Sequence, residues 1–279
     1  MQKIKSVTTY KLNDPDDSIE TGFVNSIIEY DQNGNVTKSV TYLSENEIES
    51  KTLAKFNDKG ELLEEINYMS EDEIAEKLTY KRNDEGKIDE VRVEYIDGSL
   101  SIKKYEYADN EIIANVIDDE NEFEGKEIRK LDDKGKIIEK IIYDEDNKLD
   151  EKEIVCYDEK SNVINRKEYN KDNELEVEIN YTYDENENLI KFLKTNSKNE
   201  IIDSVVFVYD EKGNLTEQKV GDYYYSKFEI NAEEKTKTEE RFDMSGTLQF
   251  ILTSKFDEND LIIEEISPLN TIKYKYEFH

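Results

Sequence analysis

Cysteine occurs once in this chain, at Cys156, and histidine once, at the terminal His279. A single thiol forbids an intrachain disulfide and removes any redox sign of an oxidising compartment. A single terminal imidazole leaves no Ser-His-Asp or Cys-His constellation to activate a nucleophile. No His/Cys metal cluster and no glycine-rich phosphate loop is present either. Two prolines in 279 residues exclude a proline-rich linker protein. Apolar runs stop at about four residues, far short of the ~20 that a membrane helix needs. Met1-Gln2-Lys3-Ile4-Lys5 lacks the apolar stretch of a signal peptide. The expectation is a cytoplasmic chain, or a surface or secreted one if a leader precedes Met1.

What is abundant is negative charge. Against 38 Lys and Arg stand 69 Asp and Glu, a formal charge of −31. With 38% charged and 35% hydrophobic residues the composition alone would fit disorder. Nineteen tyrosines and ten phenylalanines argue for a folded chain instead. Nucleic acid is a poor ligand for this surface, because duplex binding needs clustered cations to displace counterions. Anionic lipid repels it as well. A basic protein is its natural complement.

Internal self-similarity organises the sequence. The phrase Tyr30-Asp31-Gln32-Asn33-Gly34-Asn35-Val36 returns at Phe56 to Leu62, Leu131 to Ile137, Tyr157 to Val163, Tyr183 to Leu189, Tyr209 to Leu215 and Phe242 to Leu248. Gly34, Gly60 and Gly86 stand 26 residues apart, and Gly135, Ser161, Glu187 and Gly213 keep the same step. A weaker copy sits inside each unit, at Tyr42, Tyr68, Tyr143 and Tyr169. The anchors therefore alternate in steps of 12 and 14. Taking out five-residue connections leaves segments too short for stable helices and ordinary for strands. Alternation confirms strands: Leu175, Val177, Ile179, Tyr181 and Tyr183 oppose Glu176, Glu178, Asn180 and Thr182.

The spacing predicts an all-β fold, an antiparallel meander of about 22 short strands in 26-residue hairpin repeats. It should form one elongated or curled repeat array over residues 1–279. Residues 1–23 and 262–279 read as atypical capping units, and 109–119 and 220–241 as irregular repeats. Even spacing within segments places Tyr30, Phe56, Tyr157, Tyr183 and Tyr209 at equivalent strand ends on one buried face. Ile138, Ile164, Ile190, Val206 and Val208 fall on the other face, so the array should curl over near residues 137–209 to cover them.

These Tyr-Asp-x-x-Gly-Asn-Leu phrases, as at Tyr209-Asp210-Glu211-Lys212-Gly213-Asn214-Leu215, resemble the YD repeats of Rhs-type toxins and related surface proteins. They are also similar to the acidic hairpin repeats of MORN-like bacterial proteins. The resemblance spans about Val24 to Leu261, although Rhs repeats usually have a shorter period and an Arg after the glycine. It implies hairpins winding into a sheet or shell, with no catalytic residue to carry over.

Within that frame Cys156, alternating with Ile154, reads as a core thiol. Asp144-Glu145-Asp146-Asn147 and Asp118-Asp119-Glu120-Asn121 offer hard oxygens for calcium but lack EF-hand spacing, and turn duty accounts for them. The tyrosine rows could bind sugar rings or a partner, or form cross-strand packing. Carboxylates repeated on successive strands would make dense negative rows, which could dock a basic protein or only keep a two-edged sheet soluble. The reading that follows is a non-enzymatic binding protein without cofactor or metal. Its most concrete form is an immunity or inhibitor protein that occludes a basic toxin or nuclease, with Glu176, Glu178, Tyr223, Tyr224 and Tyr225 as partner-binding residues. The alternative is a cell-surface repeat module for glycans or a host protein, and a two-carboxylate glycosidase is a distant third.

Overall fold

One local unit, the five-residue connection, explains how the chain folds. In Asp31 to Asn35 the Asp31 amide donates to the Asn35 carbonyl and the Gly34 amide to the Asp31 carbonyl. Asp31 Oδ1 accepts the amides of Asn33 and Asn35 at 2.8 and 2.9 Å. Gly34 has φ of +93°, a conformation costly for residues with a Cβ. This is a turn with an Asx cap and a bulge, the three-to-five-residue hairpin connection that suits twisted strands. The same bonds recur at Asn57, Asp132, Asp184 and Asp210.

The computed structural model describes residues 2–45 and 47–279, and among them it contains no helix. Strands, numbered in chain order, are β1 Ile4–Leu12, β2 Phe23–Tyr30, β3 Val36–Ser44, β4 Glu47–Phe56, β5 Leu62–Tyr68, β6 Ile74–Arg82, β7 Ile88–Tyr95 and β8 Leu100–Ala108. There follow β9 Glu111–Asp118, β10 Phe123–Leu131, β11 Ile137–Tyr143, β12 Leu149–Tyr157, β13 Val163–Tyr169, β14 Leu175–Tyr183 and β15 Leu189–Asn196. The last are β16 Ile201–Tyr209, β17 Leu215–Val220, β18 Tyr224–Asn231, β19 Thr236–Asp243, β20 Leu248–Phe256, β21 Ile262–Ile266 and β22 Thr271–Phe278. The all-β meander of the sequence is therefore present.

The array, expected to be elongated or curled, is instead closed. All 22 strands belong to one sheet, and β1 pairs with β22 as well as with β2, from Ile4 opposite Phe278 to Leu12 opposite Thr271. The sheet thus closes on itself as a β-barrel does, with β1 held between β2 and β22. β1 and β22, in the segments expected as terminal units, pair with each other. The chain forms two compact units: residues 1–102, 229–239 and 250–279, and residues 103–228 and 240–249.

The bulge beside each turn decides which face each tyrosine joins. Cys156 lies opposite Asn165 but the next residue, Tyr157, lies opposite Val163, so Ile164 is the extra residue. The same shift occurs before Tyr143, Tyr169, Tyr183 and Tyr209. One inserted residue reverses the alternation once per connection. Tyr157, Tyr183 and Tyr209 consequently share a face with Val155 and Ile179. Tyr143 and Tyr169 lie on the opposite face, with Glu139, Ile154 and Lys167. The first set donates hydroxyl protons to carbonyls 20 residues back: Tyr157 to Ile137 at 2.9 Å, Tyr183 to Val163 at 2.9 Å, and Tyr209 to Leu189 at 3.1 Å. The second lies under lysines, Lys126 over Tyr143 at 4.8 Å and Lys152 over Tyr169 at 5.5 Å.

Burial is thin in both units. The first buries Leu12, Val40, Val91 and Ile102, and the second Ala114, Val155 and Ile179. Ile138, Ile164, Ile202, Val206 and Val208 stay 37% to 46% exposed, so the described residues leave these side chains of the 137–209 region partly uncovered. Cys156, expected in the core, is exposed on the same face.

Removing a single tyrosine hydroxyl tests the repeat directly. Phe56 and Phe256 show that phenylalanine fits this strand end. Tyr157→Phe, Tyr183→Phe and Tyr209→Phe should each cost about 1 kcal/mol in urea unfolding, the net worth of one hydrogen bond. Tyr143→Phe should cost less.

Candidate functional site

The charge is distributed very unevenly between strands and connections. The connections hold 39 of the 69 acidic side chains and 10 of the 38 basic ones, a net of 10 − 39 = −29. Strands and termini hold the other 30 acids and 28 bases, a net of −2. The expected negative rows along the strands are therefore broken up, because many strand carboxylates meet a lysine or arginine of a neighbouring strand. Glu64 lies between Lys55 at 2.6 Å and Lys77 at 2.9 Å. Glu139 lies between Lys130 at 2.6 Å and Lys152 at 3.2 Å, and Glu264 between Lys255 at 2.6 Å and Lys273 at 3.5 Å. Hydrogen bonds from Lys55 and Lys77 hold Glu64 below the usual carboxylate range. For Glu139 burial pushes upward, and the bonds from Lys130 and Lys152 outweigh it. This motif was readable: the glutamate follows two aliphatic residues in Leu62-Leu63-Glu64, Ile137-Ile138-Glu139 and Ile262-Ile263-Glu264.

The connections carry acids for two reasons. In the five-residue connections the first residue is usually an Asp or Asn that accepts backbone amides, and the exposed tips favour charge. Side-chain bonds from Asn35, Asn188 and Asn214 hold Asp31, Asp184 and Asp210 below the ordinary value. Among the described residues no cluster of three or more His, Cys, Asp or Glu is placed to hold a metal ion. The Asp144 and Asp118 loops accept backbone amides, as turn duty requires.

The five residues expected at a partner site fare differently. Glu178 is engaged by Asn165 at 2.8 Å and by Lys167 at 3.5 Å. Glu176 is exposed and lines a cleft of about 580 Å³ in the second unit, together with Arg166, whose guanidinium meets Glu153 at 2.6 Å and Glu168 at 3.1 Å. Tyr223, 70% exposed, stands free in the turn before β18. Tyr224 lies 4.6 Å under Arg241, and Tyr225 stacks on Phe242 at 5.1 Å. Three strands separate β14 from β18, so the five do not form one site. Glu176 and Tyr223 remain available.

No family model and no curated sequence matches the chain. Among solved structures it is similar to a porin-like protein from Bacteroides uniformis, at 10% identity and TM-score 0.37 over 98% of each chain. A porin-like protein from Bacteroides vulgatus matches at 11% identity and TM-score 0.21 over 99% of each. A chain of TcdB2-TccC3 matches at 13% identity and TM-score 0.33, covering 89% of this chain and 17% of that one. At these scores none of the three bears on function.

The turn carboxylates set an acid limit. A group whose folded value lies below its unfolded value of ~3.9 contributes at neutral pH and loses that contribution as pH falls through the lowered value. Asn occupies the position of Asp184 in other turns, as Asn57 and Asn170. The melting temperature of the wild type should exceed that of Asp184→Asn between about pH 5 and 7, and the gap should shrink below about pH 4. A gap independent of pH would contradict the assigned bonds.

Proposed function

We propose that this chain is a non-enzymatic binding protein that captures a basic protein, in its most concrete form an inhibitor or immunity protein occluding a basic toxin or nuclease. The observation that carries this reading is the placement of −29 of the −31 net charge in the connections. Along one end of the second unit, connections 158–162, 184–188 and 210–214, with net charges of −1, −3 and −1, follow one another at every second strand, about 9.6 Å apart. That is close to the ~8 Å Debye length, so neighbouring connections add their potentials at the distance where a partner is first steered. Solubility alone would be served by a net charge of about 2–8 in a small domain.

The strand charges support a water-exposed setting. Arg166 and Lys167 occupy the middle of β13 on opposite faces. A lipid-facing strand tolerates such charges at a cost of about 2–4 kcal/mol each at the bilayer midplane. The same surface favours neither nucleic acid nor anionic lipid, and no cofactor is invoked.

Glu159, Glu185 and Glu211 are the second residues of connections 158–162, 184–188 and 210–214: each is exposed, and the turn hydrogen bonds there are made by the preceding Asp. The triple change Glu159→Lys, Glu185→Lys, Glu211→Lys should slow association with a basic ribonuclease probe roughly ten-fold at low salt. The dissociation rate should change little. The difference should vanish near 1 M salt, where the Debye length is about 3 Å. Equal association rates for wild type and variant at both salt concentrations would refute the proposal.

A further inference from the structure

Two clefts on the second unit are copies of one another. One, of about 680 Å³, lies on Ile138, Ile154 and Cys156; the other, of about 590 Å³, lies on Ile190, Val206 and Val208. Each residue of the second set stands 52 positions after its counterpart in the first, two full repeats later. The acids beside them obey the same rule: Asp132, Asp158 and Glu159 become Asp184, Asp210 and Glu211. Both clefts lie on the face that carries Glu139 and Lys167, where Ile138, Val206 and Val208 are 37%, 41% and 45% exposed. The 26-residue copy between them keeps Ile164 but has Asn180 and Thr182 in place of Ile154 and Cys156, so two of its three floor residues are polar. The apolar floor therefore recurs at every fourth strand.

We infer that the paired clefts are a two-point docking site for an extended basic segment of the partner, with two apolar anchors. This rests on the proposed capture of a basic protein and adds where and how it is held. The acids beside each floor select lysine or arginine next to the anchors, and the floors give the anchors an apolar seat. Four strand spacings of ~4.8 Å set the anchors about 19 Å apart. An extended chain advances ~3.3 Å per residue, so the anchors fall at i and i+6, on the same side of the segment. A helix would need ~13 residues to cover that distance, which turns the second anchor away from the surface.

The test uses the whole chain and three peptides of equal charge: a twelve-residue peptide of ten lysines with Leu at positions 3 and 9, its isomer with Leu at 3 and 6, and a ten-residue oligolysine. The 3/9 peptide should bind roughly ten-fold more tightly than the 3/6 isomer, as filling a second apolar seat allows. It should also slow alkylation of Cys156 by iodoacetamide, since Cys156 is the only cysteine. Ile138→Thr and Ile190→Thr should each remove most of the advantage. Threonine is compatible with the fold there, because Thr37 and Thr216 hold the equivalent strand position. Oligolysine should bind both variants as it binds the wild type. Equal affinity for the two leucine peptides, or unchanged binding in both variants, overturns the inference. So does self-association of the chain that the threonine variants abolish, which would assign the clefts to a second copy. The underlying reading fails separately, if oligolysine binding is indifferent to salt and to the loop reversals.

Discussion

A side-chain oxygen that holds two backbone amides, next to a residue in the left-handed region, governs almost everything in this protein. Asp184 shows the unit complete: Oδ1 accepts the amides of Asn186 and Asn188, and Oδ2 the Asn188 side-chain amide. Glu187 then takes φ of +69° without a glycine, as Ser161 does at +80°. Such conformations cost roughly 1–2 kcal/mol, and the surrounding bonds impose them here. The turn fixes connection length, and with it the strand lengths and the 26-residue step. Its bulge decides which face each tyrosine joins. Its need for Asp or Asn begins the concentration of acid at the strand ends.

The turn units and strands were legible because their chemistry is local. Tyr157, Tyr183 and Tyr209 end their strands as the phrases indicated. Three features were not legible. The faces of Tyr143 and Tyr157 depend on one unpaired residue, and counting along a strand cannot register it. Closure depends on β1 meeting β22, a pairing between residues about 270 positions apart that no local pattern announces. Glu178 looked like part of a negative row because its opposite neighbour, Lys167, lies eleven residues away in sequence and across a turn. Of the candidate partner residues, Glu176 and Tyr223 are exposed as expected, whereas Tyr224 and Tyr225 find Arg241 and Phe242 on β19.

Division of charge between strands and connections links architecture to the proposed activity. Alternating lysine and glutamate lets neighbouring strands approach to hydrogen-bonding distance, since like charges directly opposite would repel. Excess acid is then displaced to positions where it costs the ladder little and reaches furthest into solvent. A sheet with acids spread evenly would hold the same −31 charge and present no rim. The exposed isoleucines and valines follow from the same economy of structure: the bulge residue of each turn must point somewhere, and in β11, β13 and β15 it is Ile138, Ile164 and Ile190.

Closure completes this account, because a turn-defined meander with two open edges would invite further strands. Amide hydrogen exchange read strand by strand tests it most directly. With β1 held between β2 and β22, the amides of β1 and β22 should be protected to the same order as those of β13 and β14. Exchange of β1 or β22 at the rate of an unstructured peptide, while β13 and β14 stay protected, would contradict a closed sheet.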